Sequence, residues 1–158
     1  MVKEAQLVTW SHQFSCGVKL VDDQHKGLVD LINEMHNHAT GNIEQEKDYF
    51  DRVIQEAIKY VKVHFATEEK LMIATRFPGY AEHKKEHRDF IIAVAQNIRD
   101  YQAGKRLTIS AFTRFLKDWV LSHIAVMDKR YFEYFKKIAS RKADGKLSIN
   151  SEDVALFS

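Results

Sequence analysis

The sequence predicts an all-α fold: an up-down-up-down antiparallel four-helix bundle with an extended N-terminal arm and a short C-terminal tail. Three observations carry this. Six glycines and one proline among 158 residues are about a third of ordinary usage, and barrels or sandwiches would need a turn every 8–12 residues or so. Apolar residues recur at helical spacing over four long segments. The connections between those segments are roughly 3–6 residues, too short for parallel neighbours.

Residues 1–20 mix Thr, Ser, Gly and isolated aromatics (Trp10, Phe14) and are expected to form the arm. Asp22 is placed to cap a first helix whose apolar face runs through Leu28, Ile32 and Met35, and Gly41 to stop it. Asn42 offers the next N-cap, with Gln45 at the capping-box position. The second helix carries Phe50, Val53, Ile54, Ala57, Val61, His64 and Glu68 and must end before Pro78. A third begins near Tyr80, turns Phe90, Ile91, Val94 and Ile98 inward, and stops at Gly104. Thr108 or Ser110 caps a fourth, with Phe112, Leu116, Trp119, Val120 and His123 on its stripe, continuing through the aromatic run Tyr131 to Phe135. The bundle is thus expected over residues 1–140, with 141–158 as a polar tail. The tail's Asp144-Gly145 turn is no calcium loop, because Ser140 and Lys142 stand where liganding oxygens belong and Ser151 replaces the closing Glu. Its lysines and arginines complement a helix C-terminus rather than an acidic partner.

The composition, 45% hydrophobic and 29% charged, is that of a globular chain with one core. A net charge of +2 from 24 basic and 22 acidic residues is too balanced for a nucleic-acid binder. Cys16, the single cysteine, excludes an internal disulfide, suits a reducing compartment, and reads as a small apolar residue. Residues Met1 to Cys16 lack the apolar core of a signal peptide, and the longest apolar run, Phe90 to Ala95, cannot span a bilayer. The expected location is the cytoplasm, away from membranes.

Eight histidines are the informative feature. Three spacings stand out: His64-x-x-x-Glu68, His83-x-x-x-His87, and His123 followed five residues on by Asp128. Each alone is expected by chance about half a time in a chain of this composition. Together they place ligand-type residues on the apolar face of every predicted helix, with His25 supplying the first. An i, i+4 pair lies on one helix face about 6 Å apart, so both side chains reach one ion or two adjacent ions. Left unpartnered in a bundle core, five histidines and two carboxylates would cost several kcal/mol each. Hydrogen-bonded core histidines are the bland alternative for any one position, but not for all seven at one level. Two divalent ions bridged by the carboxylates would satisfy them. His123 and Asp128 fit least well, since five residues turn about 140° beyond a full circle in a straight helix; either they flank the metals or the helix is locally distorted. His12, His36 and His38 are read as non-ligands.

Residues 7–135 resemble the hemerythrin family, specifically its single-domain bacterial type. The resemblance is carried by Trp10 and Phe14, Asp22-x-Gln24-His25-Lys26-x-Leu28, His64-Phe65-x-x-Glu68-Glu69-x-x-Met72, Phe77-Pro78, His83-x-x-x-His87-x-x-Phe90 and Trp119-x-x-x-His123-Ile124-x-x-x-Asp128. It implies a non-haem di-iron site. His83, His87 and His123 would hold one iron, and His25 and His64 the other, which keeps an open position for O2. Glu68 and Asp128 would bridge both irons beside an oxo or hydroxo group. An O2 pocket is expected from Leu28, Ile32, Phe65, Trp119, Val120 and Ile124, which lie near the ligands along their helices.

The implied function is reversible O2 binding for storage, transport or sensing, with no enzymatic activity; a protein partner for delivery or signalling is left open. The alternative is a di-iron oxidase or a peroxide-consuming enzyme. Five neutral imidazoles against two carboxylates disfavour it, because ferritin-like oxidases use a carboxylate-rich set built on Glu-x-x-His.

Overall fold

The computed structural model describes residues 6–105 and 108–143. Four rods pack in sequence: α1 (Lys19–Asn37), α2 (Ile43–Ala74), α3 (Tyr80–Gln102), and a composite fourth helix. The last is made of α4 (Ile109–His123), a π-helical turn (Ile124–Asp128) and α5 (Lys129–Ala143) without a break. The expected all-α four-helix bundle is therefore the observed fold. The arm precedes it, tightening into one 3-10 turn at His12–Phe14. The sequence expectation for the tail falls mostly on residues outside those described; α5 itself runs on to Ala143.

Local chemistry explains most boundaries. Asn42 Oδ1 accepts from the backbone N–H groups of Glu44 and Gln45 at 3.1 and 3.2 Å, and Thr108 Oγ1 accepts from Ala111 N at 3.1 Å. Gly104 follows α3 at φ +84°, where other residues would be strained. Two expectations are corrected. Asp22 does not cap α1, which starts earlier, after Val18. Its carboxylate instead accepts from Cys16 N at 2.8 Å and from the Ser15 hydroxyl at 2.7 Å, tying the arm to the first turn. Gly41 does not stop α1 either: the helix ends at Asn37, and Gly41 (φ +81°) sits in the following turn. There the buried Glu46, rather than Gln45, accepts from the backbone N–H groups of Thr40 and Gly41.

The core divides in two. The larger part joins Leu28, Ile32, Met35, Phe50, Phe65, Phe90, Phe112, Leu116 and Val120 from all four helices. A smaller one joins Cys16, Val21, Leu71, Met72, Tyr131 and Phe132, where the arm meets α5. Between them lies a layer of buried histidines and carboxylates. At Gly27, the α1 backbone approaches α2 so closely that a Cβ would lie 2.1 Å from the Tyr60 hydroxyl, which donates to Gln24 O at 2.9 Å. Glycine is needed there for space. No helix among the described residues is long and apolar enough to cross a membrane.

Candidate metal centre

Each helix delivers the residues its sequence placed on the inner face. His25 comes from α1, His64 and Glu68 from successive turns of α2, His83 and His87 from successive turns of α3, and His123 from the end of α4. All are buried, at 4% exposure or less. Asp128 joins them because the backbone between it and His123 is π-helical. The wider turn brings a residue five positions on back over the same face. The irregular spacing thus has the second of its two expected explanations, a local distortion.

The seven side chains converge with a regular division of labour. Glu68 Oε1 lies 3.3 Å from His25 Nε2 and 3.0 Å from His64 Nε2, while Oε2 lies 3.5 Å from His83 Nε2 and 3.2 Å from His87 Nε2. Asp128 divides the same way. Its Oδ2 is 3.1 Å from His25 Nε2, and its Oδ1 is 3.0 and 3.1 Å from His83 and His123 Nε2. Two donor sets result: Glu68, His83, His87, His123 and Asp128, and His25, His64, Glu68 and Asp128, each with its ligand atoms within 4.8 Å of one another. The two carboxylates belong to both sets, one oxygen to each.

This arrangement fits metal ions and is poorly satisfied without them. Both oxygens of Glu68 and of Asp128, and His83 Nε2, are buried without a hydrogen-bond partner among the described residues. Pairs of imidazole nitrogens face each other at 3.0 Å, His25 against His64 and His87 against His123. Each such pair can share at most one proton. In the metal-free cluster, burial opposes charging of His25 and His83, but the facing carboxylates outweigh it and raise both to about 9. Burial likewise works against ionised Glu68 and Asp128, yet the surrounding imidazoles hold both below the usual carboxylate range. Protons then substitute for the missing cations.

Outer partners orient the rings. Gln24 Oε1 lies 2.8 Å from His64 Nδ1, and the same amide donates to Thr67 Oγ1 at 3.2 Å. Glu69 Oε1 lies 3.0 Å from His87 Nδ1, and Glu86 Oε2 lies 3.6 Å from His123 Nδ1. The Gln24 and Glu69 contacts fix the tautomer that turns Nε2 inward at His64 and His87, whereas Glu86 stands too far from His123 Nδ1 for a hydrogen bond. Sequence reasoning assigned Gln24, Glu69 and Glu86 no role; their one signal is position, beside or one turn from a histidine. Aromatic faces complete the clamp. Phe65 stacks on His87 with ring centroids 3.7 Å apart and Trp119 on His123 at 4.4 Å. His12 and His38 are exposed and His36 half-buried at the side, so none joins the cluster.

Against the four-donor set lies a cavity of about 10 Å3 with walls of Leu28, Val61, Phe65, Trp119, Val120 and Ile124. That is the lower limit for one water molecule, and apart from the cluster residues His25, His64, His123 and Asp128 the walls are apolar. Of the residues expected around such a pocket, Ile32 lies in the core without lining it, and Val61, one turn before His64, lines it instead.

Known proteins share this fold and sequence. Residues 16–135 match the family model for the hemerythrin HHE cation binding domain. The chain belongs to the hemerythrin family. It is 35% identical over 127 residues to a bacteriohemerythrin of Methylococcus capsulatus, covering 79% of this chain and 94% of that one. A hemerythrin of Themiste dyscrita is 30% identical over 122 residues, covering 77% and 88%. A solved wild-type hemerythrin superposes with a TM-score of 0.72 at 33% identity, covering 80% of this chain and 96% of that one. The matched span, residues 16–135, contains all seven residues of the buried histidine–carboxylate layer, to which all four rods contribute.

Proposed function

We propose that this hemerythrin binds O2 reversibly at a di-iron site. His83, His87 and His123 would hold one iron and His25 and His64 the other, with Glu68 and Asp128 shared between the two beside an oxo or hydroxo group. The observation that carries the reading is the sharing of Glu68 and Asp128, one oxygen to each donor set. That is the contact pattern of carboxylates bridging two ions rather than enclosing one. When bound, the iron pair supplies two electrons to O2 and takes them back on release.

The chain's own residues supply the rest. The four-donor end has one ligand fewer and faces the apolar cavity, so the open coordination position and the space for a neutral diatomic coincide. Leu28, Val61, Phe65, Trp119, Val120 and Ile124 keep that space dry. No acid or base other than the ligands themselves lines it, which supports release of O2 over its protonation and reduction, and a binding protein over an oxidase. The single cysteine suits a reducing compartment and supports a cytoplasmic location. The test is an absorption spectrum of reduced protein with and without O2, beside a metal count. Two irons per chain and a visible band that appears only with O2 are expected. One metal per chain, or stoichiometric zinc from iron-replete native cells, would refute it.

A further inference from the structure

We propose that the N-terminal arm is a strap over the buried cluster, and that metal ions enter and leave when it lifts. This rests on the reading of the cluster as a metal site, but on neither its iron count nor its O2 chemistry. The seven ligand side chains are at most 4% exposed, so an ion reaches them only where a wall gives way. Parting the helices would break the apolar core that joins all four, which takes most of the fold's stability with it. The apolar cavity holds only about 10 Å3, and an ion crossing its hydrocarbon walls would lose its hydration.

The arm is the wall that can lift. Of residues 6–18 only Val8 and Cys16 are buried, while Leu7, Trp10 and Phe14 lean half-buried on the core. Two polar clasps hold the segment. Near its start, the Asn33 side chain accepts from Val8 N at 2.9 Å and donates to Val8 O at 2.8 Å. At its end, Asp22 accepts from Cys16 N and from the Ser15 hydroxyl. Gly17, at φ +83°, then turns the chain into α1 and can serve as the hinge. Few buried contacts and two clasps make a segment that opens far more readily than a core helix. Beneath Gln13–Cys16 lies a cavity of about 90 Å3, several times what one water needs. Its lining balances Lys129 and Lys136 against Glu133 and Asp128, so the passage is polar without repelling either sign. Its inner end is His25 and Asp128, whose carboxylate oxygens are buried without a hydrogen-bond partner among the described residues. Lifting the strap therefore joins solvent to ligand atoms of the four-donor set without parting the bundle.

Cys16, the single cysteine, is buried at the end of the strap, and burial holds its thiol protonated, so its alkylation reports the open state without any need for metal. Full-length protein, metal-free and iron-loaded, is treated with iodoacetamide and followed by mass spectrometry. Asp22→Ala loses both bonds to a charged acceptor and should speed labelling about 10-fold or more; Ser15→Ala loses one and should speed it about 3-fold. Urea should alter the wild-type rate only weakly, because a lifting strap exposes little surface. Iron release from loaded protein to excess EDTA, read by elemental analysis, should rise by the same factors in the same variants. Labelling that is unchanged in both variants, or as steep in urea as global unfolding, would overturn the proposal. So would faster labelling with unchanged iron release, since the strap would then open without being the route. If Asp22→Ala does not fold, Ser15→Ala and Asn33→Ala carry the test. One metal per chain, or no visible band with O2, would count against the di-iron reading alone.

Discussion

The two ends of the buried cluster use the same carboxylates and differ in everything else. At one end, α3 contributes two histidines a turn apart and α4 a third, and Phe65 and Trp119 lie flat on two of those rings. At the other, α1 and α2 contribute one histidine each, and two cavities reach His25: the apolar one, which His123 also lines, and a second one of about 90 Å3 beneath arm residues Gln13–Cys16. Where a ligand is missing, packing is missing too. The difference teaches that the site's asymmetry is built from how many histidines each helix carries, and that the surrounding apolar side chains preserve it by filling one end and leaving the other.

Removing a bridge should erase the comparison altogether, and this is the largest effect expected. Glu68→Ala withdraws one oxygen from each end and leaves two cations less neutralised, so both metals should be lost. His25→Ala withdraws a donor from the four-donor end only and should retain more iron by elemental analysis. The reverse order of retention would show that the bridging assignment is wrong.

Acidity sharpens the comparison next. Without metal, His25 and His83 titrate near 9. A raised histidine pKa contributes stability that is complete below the unfolded value of about 6.5 and is lost as pH rises through about 9. The depressed Glu68 and Asp128 contribute stability above about pH 4 that is lost as pH falls. Metal-free protein should therefore melt highest between about pH 5 and 6.5 and lower by roughly 5–10 °C at pH 9. Metal needs neutral imidazoles, so its stabilisation grows over that window as protons are no longer displaced. Scanning calorimetry of loaded and metal-free protein from pH 6.5 to 9 should show the gap widening. A constant gap would contradict the proton-for-metal exchange.

A smaller effect is expected at Gly27, where a methyl group has no room beside Tyr60. Gly27→Ala should cost about 1–3 kcal/mol in a denaturant titration, and adding Tyr60→Ala should recover part of it. A neutral Gly27→Ala would mean that the Tyr60 ring gives way and that its hydroxyl is not held against α1. The mildest is Ile124→Thr, which places a hydroxyl on the wall between the two cavities. It should speed oxidative loss of the O2-binding form a few-fold by admitting water, followed by decay of the visible band. An unchanged decay would mean that dryness at Ile124 is not what protects the four-donor end.

The bundle was legible because its signals are local and repeated: apolar spacing, scarce breakers, and the caps at Asn42 and Thr108. The histidine–carboxylate set was legible for the same reason, since i, i+4 pairs on an apolar face imply convergence whatever the detailed packing. Asp128 marks where that logic stops. Its register depends on a π-helical turn, which a constant helical period does not encode. Asp22 and Glu46 were hidden differently, because each carboxylate serves backbone groups outside its own helix. The partners of the rings were hidden too. Glu69 reaches His87 across eighteen residues and Gln24 reaches His64 across forty, contacts that only the assembled bundle defines.

The central claim is that the four-donor end takes up O2 and returns it. Its most direct measurement is stopped-flow mixing of reduced, iron-loaded protein with O2, then argon flushing and repeated cycles under the same optical path. Uptake of one O2 per two irons is predicted, with a visible band that rises on mixing, disappears under argon, and returns over successive cycles. Continuous O2 consumption in the presence of a reductant, at a rate far above spontaneous oxidation, would contradict the claim and make the protein a di-iron oxidase.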